Sequence, residues 1–198
     1  MGNETSKCYE QRLQLGFFDR YLKGYGIDIG SGADCLRLPN HNPVVSFDKP
    51  NGDAQYMVRY DEDTFDFVYS SHCLEHLNNP IKALRSWHRI CRPDGYLYVV
   101  VPDWTLYEKR KIRSPFSTDH KHMFSMVPIR QSDFQIMQNP KLYYILMLIR
   151  YINTPVLMLN PKLIWLNDTN YDYTKPDTED QTRGDACAHI EMIFQVVK

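Results

Sequence analysis

Apolar residues recur along the first half of the chain with helical spacing first and strand-like spacing afterwards. Residues 6–23 carry Leu, Phe and Tyr side chains three and four positions apart, which predicts an amphipathic helix ending at Gly24. The apolar runs "YGIDIG", "PVVSFD" and "TFDFVYSS" each lead into turn residues and predict buried strands, with a weak additional strand near residues 55–60. Asn79 followed by Pro80 is the preferred start of a helix.

The second part of the predicted sheet contains the most β-prone segment of the chain, "YLYVVVPD", and a closing strand within "AHIEMIFQVVK". Strands that are apolar on both faces and alternate with helices or loops are typical of a parallel sheet covered on both sides. The pattern therefore predicts an α/β fold with a doubly wound, mostly parallel sheet and an antiparallel terminal strand. With 198 residues, the chain fits a single domain, residues 1–198.

Composition and charge exclude several classes of protein. Hydrophobic residues make up 43% and charged residues 24% of the chain, as in ordinary globular domains. The net charge of −1 gives no bulk attraction to nucleic acid or to an anionic membrane, and the longest apolar run, at 142–149, is too short to cross a bilayer. The five cysteines are odd in number and include no C-x-x-C pair, which argues against a disulfide framework or a cysteine zinc site. This favours a reducing, cytoplasmic location.

Functional residues are expected where the strands end, because ligands of open α/β sheets bind outside the carboxyl ends of the strands. The first strand runs into the glycine-rich turn 28–32, and Asp48 follows the second strand at the spacing expected of an acid that binds a ribose. Residues 70–72 and 102–103 end two later strands. A dinucleotide site would need a third glycine where Cys35 stands, so this cofactor class is disfavoured.

Residues 72–76, "HCLEH", match the H-x-x-E-H pattern of inverted zinc metalloproteases. That chemistry needs both histidines on one helix and a third ligand. The helix signals begin only at Asn79, so we expect His72 in a loop and no zinc site. Pocket-wall or packing roles for His72 and His76 stay open.

Five segments of the chain occur in an order and spacing that resemble one known family. They are "GIDIGSGAD", "VVSFDK", "GDAQYM", "FDFVYSSHCLEHL" and "ICRPDGYLYVVVPD". Over residues 22–125 the chain resembles class I S-adenosylmethionine-dependent methyltransferases, which implies a Rossmann-like fold and S-adenosylmethionine (SAM) as cofactor. One departure is Asp34, which stands at the last glycine of the family's E/D-x-G-x-G-x-G turn.

The resemblance also implies which residues bind the cofactor. The acid and glycines of the first turn would surround its methionine part, and Asp48 would take the ribose hydroxyls. Asp53 would accept from the adenine amino group, with Ala54 beside the ring, while Ser71 and His72 would line the pocket near the sulfonium. The full predicted set is Asp28, Gly30, Ser31, Gly32, Asp48, Lys49, Asp53, Ala54, Ser71 and His72.

The segment "RSPFSTDHKHMFS" at 113–125 follows the last parallel strand and should lie on the rim where the acceptor binds. A hydroxyl acceptor needs a base to take its proton. His120 is the first candidate, with Asp119 to orient its ring, and His72 is the second. Two other interpretations are surface residues without a catalytic role and a His/His/Asp metal site that includes His122, so a divalent metal requirement stays open.

Residues 141–175 contain a helix-like run, "KLYYILMLIRY", and several aromatic side chains, which predict a lid or acceptor-binding insertion with core packing as the alternative. The subset that the chain resembles is the short bacterial and viral type often found with glycosyltransferases. It implies O-methylation of a sugar hydroxyl of a glycan or nucleotide sugar, with a separate or fused glycosyltransferase as partner. The alternatives are a small aromatic or nucleic-acid acceptor, or a non-catalytic cofactor-binding module.

Overall fold

A six-stranded sheet forms the centre of the protein, with strand order β2-β1-β3-β4-β8-β7. The computed structural model describes residues 3–111, 113–127, 142–144 and 158–198. In chain order the strands are β1 (Gly26–Ile29), β2 (Val44–Phe47), β3 (Phe65–Ser71), β4 (Cys91–Pro102), β5 (Met123–Ser125), β6 (Leu142–Tyr144), β7 (Met158–Asn167) and β8 (His189–Val197). Strands β1 to β4 pair in parallel, and β7 and β8 are antiparallel additions. This confirms the predicted α/β fold, although β8 lies inside the sheet rather than at its edge.

The prediction of one continuous helix over residues 6–23 is wrong. The segment forms three short helices, α1 (Glu4–Lys7), α2 (Tyr9–Gln14) and α3 (Phe17–Tyr21). Gly16 adopts a left-handed conformation with φ of +68°, which ends α2 and redirects the chain. The break lets α3 bury Phe17 and Phe18 against the sheet while α1 reaches its carboxyl edge.

The weak strand predicted near residues 55–60 is also absent. These residues form turns, and Met57 has a φ of +46°, which no strand residue adopts. The predicted start of α4 (Pro80–Ile90) is correct, since Asn79 caps it by accepting a hydrogen bond from the Lys82 amide at 3.0 Å.

Two apolar layers cover the sheet. On one face, α4 packs Leu84, Trp87 and Ile90 against β1, β3 and β4. On the other face, α3 packs with Leu36 and Leu38, which belong to the connection from β1 to β2. This connection is described throughout and contains no helix. Its leucines cover the sheet in place of a helix.

The strand order reverses at β1, which has β2 on one side and β3 on the other. In open α/β sheets a ligand crevice forms at such a point, outside the carboxyl ends of the strands. Among the residues that the structure describes, no helix is long and apolar enough to cross a membrane.

Candidate active site

A cleft of about 1610 Å³ opens at the carboxyl ends of β1, β2 and β3. It is lined by every predicted site residue except Asp28: Gly30, Ser31, Gly32, Asp48, Lys49, Asp53, Ala54, Ser71, His72, Asp119 and His120. The cleft is larger than the roughly 300–1,000 Å³ typical of a pocket for one small ligand. Its size is sufficient for a cofactor and an acceptor together.

The glycine turn after β1 needs its glycines for two reasons. Gly30 and Gly32 have φ values of +81° and +52°, which side chains disfavour. A Cβ on Gly30 would lie 2.6 Å from the Sγ of Cys73, whereas a Cβ on Gly32 would meet nothing within 4 Å. Gly30 therefore fits the turn against the loop after β3, and Gly32 leaves open space on the cleft side for a ligand.

Asp28 is the one predicted cofactor residue that is not among the residues lining the cleft, and its contact with the cofactor stays a prediction. Its side chain lies beneath the turn, almost fully buried, where Oδ2 accepts a hydrogen bond from the Leu36 amide at 2.7 Å. Burial raises the pKa of this carboxyl to about 7. Asp28 is a residue of β1, and the side chain of a strand residue points to one face of the sheet. Its hydrogen bond to Leu36 therefore supports the glycine turn from that face.

Asp34, the departure from the family's glycine pattern, has a structural role. Its carboxylate accepts from the Ser6 amide at 2.9 Å and from the Ser6 hydroxyl. This contact holds α1 over the glycine turn, and residues 3–7 form part of the cleft wall. The sequence pattern gave no sign that the N-terminus would contribute to the site.

Asp48 ends β2 and faces the cleft from a half-buried position. Its side chain accepts from the Lys49 amide at 2.8 Å, and its own amide donates to Asn51 Oδ1 at 2.9 Å. This reciprocal cap fixes the backbone around the carboxylate. The acid is therefore held where the predicted ribose hydroxyls would lie.

Asp53 and Ala54 also line the cleft. The Asp53 carboxylate accepts from the Gln55 backbone amide at 2.8 Å, and the side-chain Oε1 of Gln55 accepts from the Asn79 backbone amide at 2.6 Å. The Ala54 carbonyl accepts from Trp87 Nε1 at 2.9 Å. Gln55, which the sequence analysis did not single out, joins this turn to the start of α4.

The "HCLEH" segment does not form the helix that a protease-type zinc site requires. His72 has a φ of +51°, and only Leu74–His76 forms a short 3₁₀ turn before α4 begins at Pro80. The predicted loop is therefore correct. Burial lowers the pKa of both His72 and His76.

Glu75 lies at the centre of a group of imidazoles at the end of the cleft. Its Oε1 is 3.7 Å from His72 Nδ1, 3.7 Å from His76 Nε2 and 3.9 Å from His120 Nε2. The side chain is fully buried, and neither oxygen has a hydrogen-bond partner among the described residues. Burial raises its pKa to about 7. We call Glu75, His72, His76, His120 and Glu108 the Glu75 cluster.

The acid that orients His120 is Glu108, not Asp119 as the sequence suggested. His120 Nδ1 lies 2.6 Å from Glu108 Oε1, and Glu108 is fully buried. Asp119 instead faces His76, whose Nδ1 is 3.1 Å from the Asp119 carbonyl and 3.3 Å from its Oδ2. Burial alone would lower the pKa of His120, but the hydrogen bond to Glu108 and the charge of Glu75 raise it.

The predicted lid at 141–175 is only partly within the described residues. Residues 142–144 form β6, where a helix was expected, and 158–167 form β7, which belongs to the sheet; residues 145–157 lie outside the described part of the chain. Trp165 packs on Phe17 in the core, with ring centroids 6.2 Å apart. The aromatic side chains that do line the acceptor end are Tyr107 and Phe116.

The sheet order, the glycine turn after β1 and the acid after β2 are those of one class of protein, the Rossmann-like SAM-dependent methyltransferases. The residues fit this cofactor, because the open side of Gly32 admits a ligand and Asp48 offers a carboxylate beside it. Residues 6–132 match the family described as a methyltransferase domain. The match covers more than half of the chain, and the protein belongs to this family, with SAM as its cofactor.

Solved structures with the same fold support this assignment. A SAM-dependent methyltransferase from Methanosarcina mazei has a TM-score of 0.55 and 14% identity, with 91% of this chain and 97% of that chain covered. One from Aquifex aeolicus has a TM-score of 0.52 and 12% identity, with 96% and 92% covered. The [4+2]-cyclase SpnF has a TM-score of 0.54 and 12% identity, with 94% and 80% covered. Identities this low show the fold alone, and no curated protein sequence matches the chain significantly.

Proposed function

We propose that the protein transfers the methyl group of SAM to a hydroxyl of a sugar, in a glycan or nucleotide sugar bound beside the Glu75 cluster. The observation that carries this proposal is the polar end of the cleft. The carboxylate of Glu75 and the imidazoles of His72, His76 and His120 line it, and His72 and the adjacent Ser71 are the residues expected near the sulfonium. A hydroxyl is a poor nucleophile at neutral pH and needs such groups to take its proton.

The walls of this end also suit a sugar. Tyr107 and Phe116 present ring faces and edges in a T-shaped pair, with centroids 5.9 Å apart, on which a sugar ring could stack. Lys121, Asp180 and Asp185 line the same rim and offer donors and acceptors for hydroxyl groups. Methyl transfer is an in-line displacement, so these contacts would contribute mainly by positioning the acceptor oxygen.

The proton of the acceptor hydroxyl would be taken within the Glu75 cluster. His120 is the first candidate, because the buried Glu108 behind it orients the ring and stabilises its charged form. His72 is the second candidate, since it follows Ser71 at the end of β3. Glu108, rather than Asp119, would orient His120, and Asp119 would orient His76.

The rival functions have weaker support. A nucleic-acid acceptor would call for a basic surface, whereas the net charge is −1 and the acids that line the cleft, among them Asp119, Asp180 and Asp185, offset its lysines and Arg183. A small aromatic acceptor would favour an apolar wall over this group of imidazoles. The cyclase with the same fold shows that the fold alone does not fix a reaction, so turnover must be measured.

Cofactor binding is the first test, with Asp48 as the residue changed. Asp48→Ala should weaken SAM binding by about 2–3 kcal/mol in calorimetry, the scale of lost charge-assisted hydrogen bonds. Asp48→Asn keeps an acceptor for the Lys49 amide and therefore separates loss of the cap from loss of the ribose contact. Asp61→Ala, an exposed acid outside the cleft, is the control. Unchanged affinity in Asp48→Ala would remove this residue from the cofactor site.

The acceptor is tested by methyl transfer from labelled SAM to a panel of free sugars, nucleotide sugars, glycans, catechol-type aromatics and RNA. We expect product only with the carbohydrate acceptors, with mass spectrometry locating the methyl group on oxygen. Preferential transfer to RNA or to the aromatics would contradict the proposal. A glycosyltransferase that builds the acceptor, separate or fused, is the partner that this function would require.

A further inference from the structure

Three atoms of the Glu75 cluster that could bind a metal ion lie close together, and a role as a general base does not require this arrangement. Glu75 Oε1, His76 Nε2 and His120 Nε2 all lie within 4.8 Å of one another, and the carboxylate is 3.7 Å and 3.9 Å from the two nitrogens. Two ligands of a tetrahedral zinc ion, with bonds of about 2.0–2.1 Å, are about 3.4 Å apart. The three atoms are therefore nearly at the separations of a metal site and too far apart to hydrogen-bond with each other.

Both imidazoles are oriented as metal-binding histidines are. His120 has its Nδ1 on Glu108, and His76 has its Nδ1 on the carbonyl and carboxylate of Asp119. An Nδ1 that donates to an oxygen leaves the lone pair of Nε2 free, and in each ring that Nε2 faces Glu75. A buried or backbone oxygen behind the ring is the usual outer support of a histidine ligand.

Glu75 supplies an independent observation. It is fully buried, it points at both Nε2 atoms, and its two oxygens have no hydrogen-bond partner among the residues that the structure describes. Burying a carboxylate without a partner is costly, and a cation between Glu75 and the two Nε2 atoms would compensate its charge. The backbone amides of Lys121 and His122 both donate to the Glu75 carbonyl, at 2.9 Å and 3.1 Å, and so hold His120 next to Glu75.

We propose that Glu75, His76 and His120 bind a divalent transition-metal ion at the acceptor end of the cleft, with a coordination position open to the acceptor oxygen. Two nitrogens and one carboxylate oxygen suit Zn²⁺, Co²⁺ or Fe²⁺, whereas Mg²⁺ prefers oxygen ligands alone. This ligand set differs from the protease-type pair at His72 and His76 and from the His/His/Asp set that the sequence suggested with His122.

The role of the ion rests on the proposed function. An acceptor hydroxyl that binds the ion loses its proton to water more readily, because the cation stabilises the alkoxide. The alkoxide oxygen then forms its bond to the methyl carbon as the carbon–sulfur bond breaks, and the sulfur keeps the electron pair. In this arrangement His120 is a ligand, and Glu108 and Asp119 position the two imidazoles.

Metal binding can be measured without any activity. The chelator-treated full chain is titrated with Co²⁺, followed by absorption, and with Zn²⁺, followed by calorimetry and elemental analysis. We expect one ion per chain and a Co²⁺ spectrum without a thiolate charge-transfer band. His76→Ala, chosen because this side chain is 30% exposed, and Glu75→Gln should each weaken binding by at least about 100-fold. Glu108→Gln should weaken it by about 10–100-fold, as loss of an outer support does.

The matched control addresses the second group of metal-ligating side chains, Cys8, Cys187 and His189, which are buried together. Cys187→Ser should leave the affinity and the Co²⁺ spectrum unchanged. No stoichiometric ion in the wild type, or binding that Cys187→Ser abolishes and His76→Ala retains, would overturn the metal site. Full methyl transfer by the metal-free enzyme would overturn the activating role and return His120 to the role of base. Failure to bind SAM would contradict the proposed function while leaving the metal measurement valid.

Discussion

Arg12 and Glu191 form an ion pair inside the protein that joins the N-terminal helices to the sheet. Arg12 Nε on α2 lies 3.2 Å from Glu191 Oε2 on β8, and both side chains are fully buried. The guanidinium also donates to the Thr5 carbonyl at 3.0 Å and lies over the rings of Tyr69 and Tyr98. Because α1 forms part of the cleft wall, this pair stabilises the fold and the cofactor site together.

Arg12→Met keeps an unbranched apolar side chain and removes the charge. Breaking a buried ion pair by removing one partner costs about 3–5 kcal/mol, mostly because the remaining charge is left uncompensated. Here Glu191 keeps three partners: Asn167 Nδ2 at 2.8 Å, His189 Nε2 at 3.2 Å and the hydroxyl of Tyr98. We therefore expect the lower end of that range, a loss of about 3 kcal/mol in the free energy of unfolding.

The pH dependence gives the prediction a second measurement. Burial alone would raise the pKa of Glu191, but Arg12 and His189 hold it well below its ordinary value of 4.5, so its contribution is present above about pH 4.5 and is lost on further acidification. Burial alone would lower the pKa of His189, yet Cys8 and Glu191 raise it from 6.5 to about 9. The stability from His189 is complete below pH 6.5 and is lost as the pH rises through about 9. The penalty of Arg12→Met should therefore grow between pH 6.5 and 9.5, where Glu191 loses its other cation.

Urea unfolding followed by circular dichroism at pH 6.5 and 9.5 measures both effects, provided that the transition slope stays that of the wild type. Lys175→Met is the control, because the Lys175–Glu179 pair is exposed, and its unfolding midpoint should not change measurably. A loss below about 1 kcal/mol for Arg12→Met at both pH values would refute the reasoning that an uncompensated buried charge governs this interface.

Two further predictions concern the glycine turn and are tested on the cofactor-free protein. Gly30→Ala should lower the free energy of unfolding by more than about 2 kcal/mol, because it combines a disfavoured φ with a collision against Cys73; Gly184→Ala, where a Cβ meets nothing closer than 3.7 Å, is the control, and equal losses would contradict the steric argument. Asp28 has its pKa raised to about 7 by burial, so its ionisation destabilises the fold as the pH rises from about 4 to above 7. Asp28→Asn should therefore gain stability relative to the wild type between pH 5 and pH 8, and a stability difference that does not vary with pH would be inconsistent with this cause.

Much of the fold could be predicted from the sequence because the signals are local. The strands at Gly26–Ile29, Val44–Phe47 and Phe65–Ser71 are short apolar runs that stop at turn residues, and Asn79-Pro80 is a capping signal complete within four residues. The position of the cleft followed from topology, because ligands collect where parallel strands end. For this reason most of the predicted cofactor residues line one cleft.

The errors have a common physical cause, which is that tertiary contacts decided between local alternatives. Residues 6–23 have a helical pattern throughout, but the contacts of Ser6 and Arg12 before Gly16 and the burial of Phe17 and Phe18 after it require different chain directions. Similarly, "KLYYILMLIRY" has helical spacing, yet residues 142–144 pair with β5. A short apolar run is compatible with both states, and its partner decides.

The pairs Glu108–His120 and Asp119–His76 could not be predicted from the sequence for a different reason. Asp119 is adjacent to His120 in the chain, but neighbouring residues outside a helix point in different directions, and the Asp119 side chain faces His76. Glu108, twelve positions before His120, reaches its Nδ1 because the chain between them folds back on itself. In the sequence Glu108 is the first residue of the basic run "EKRKIR", and no pattern in that run points to His120.

The histidine pattern at residues 72–76 shows how a chemical signal depends on the backbone that presents it. A spacing of four residues brings two imidazoles together only on a helix, and here His72 has a left-handed backbone conformation while Leu74–His76 is a single 3₁₀ turn. That turn directs Glu75 inward, and β5 and the loop before it bring His120 to the same point. A buried carboxylate without a hydrogen-bond partner reduces the stability of the fold. Proteins retain such unsatisfied buried groups mainly at functional sites. The cost falls where the resemblance to methyltransferases expects the sulfonium, and this coincidence is the reason why we assign Glu75 to the proposed metal site rather than to folding.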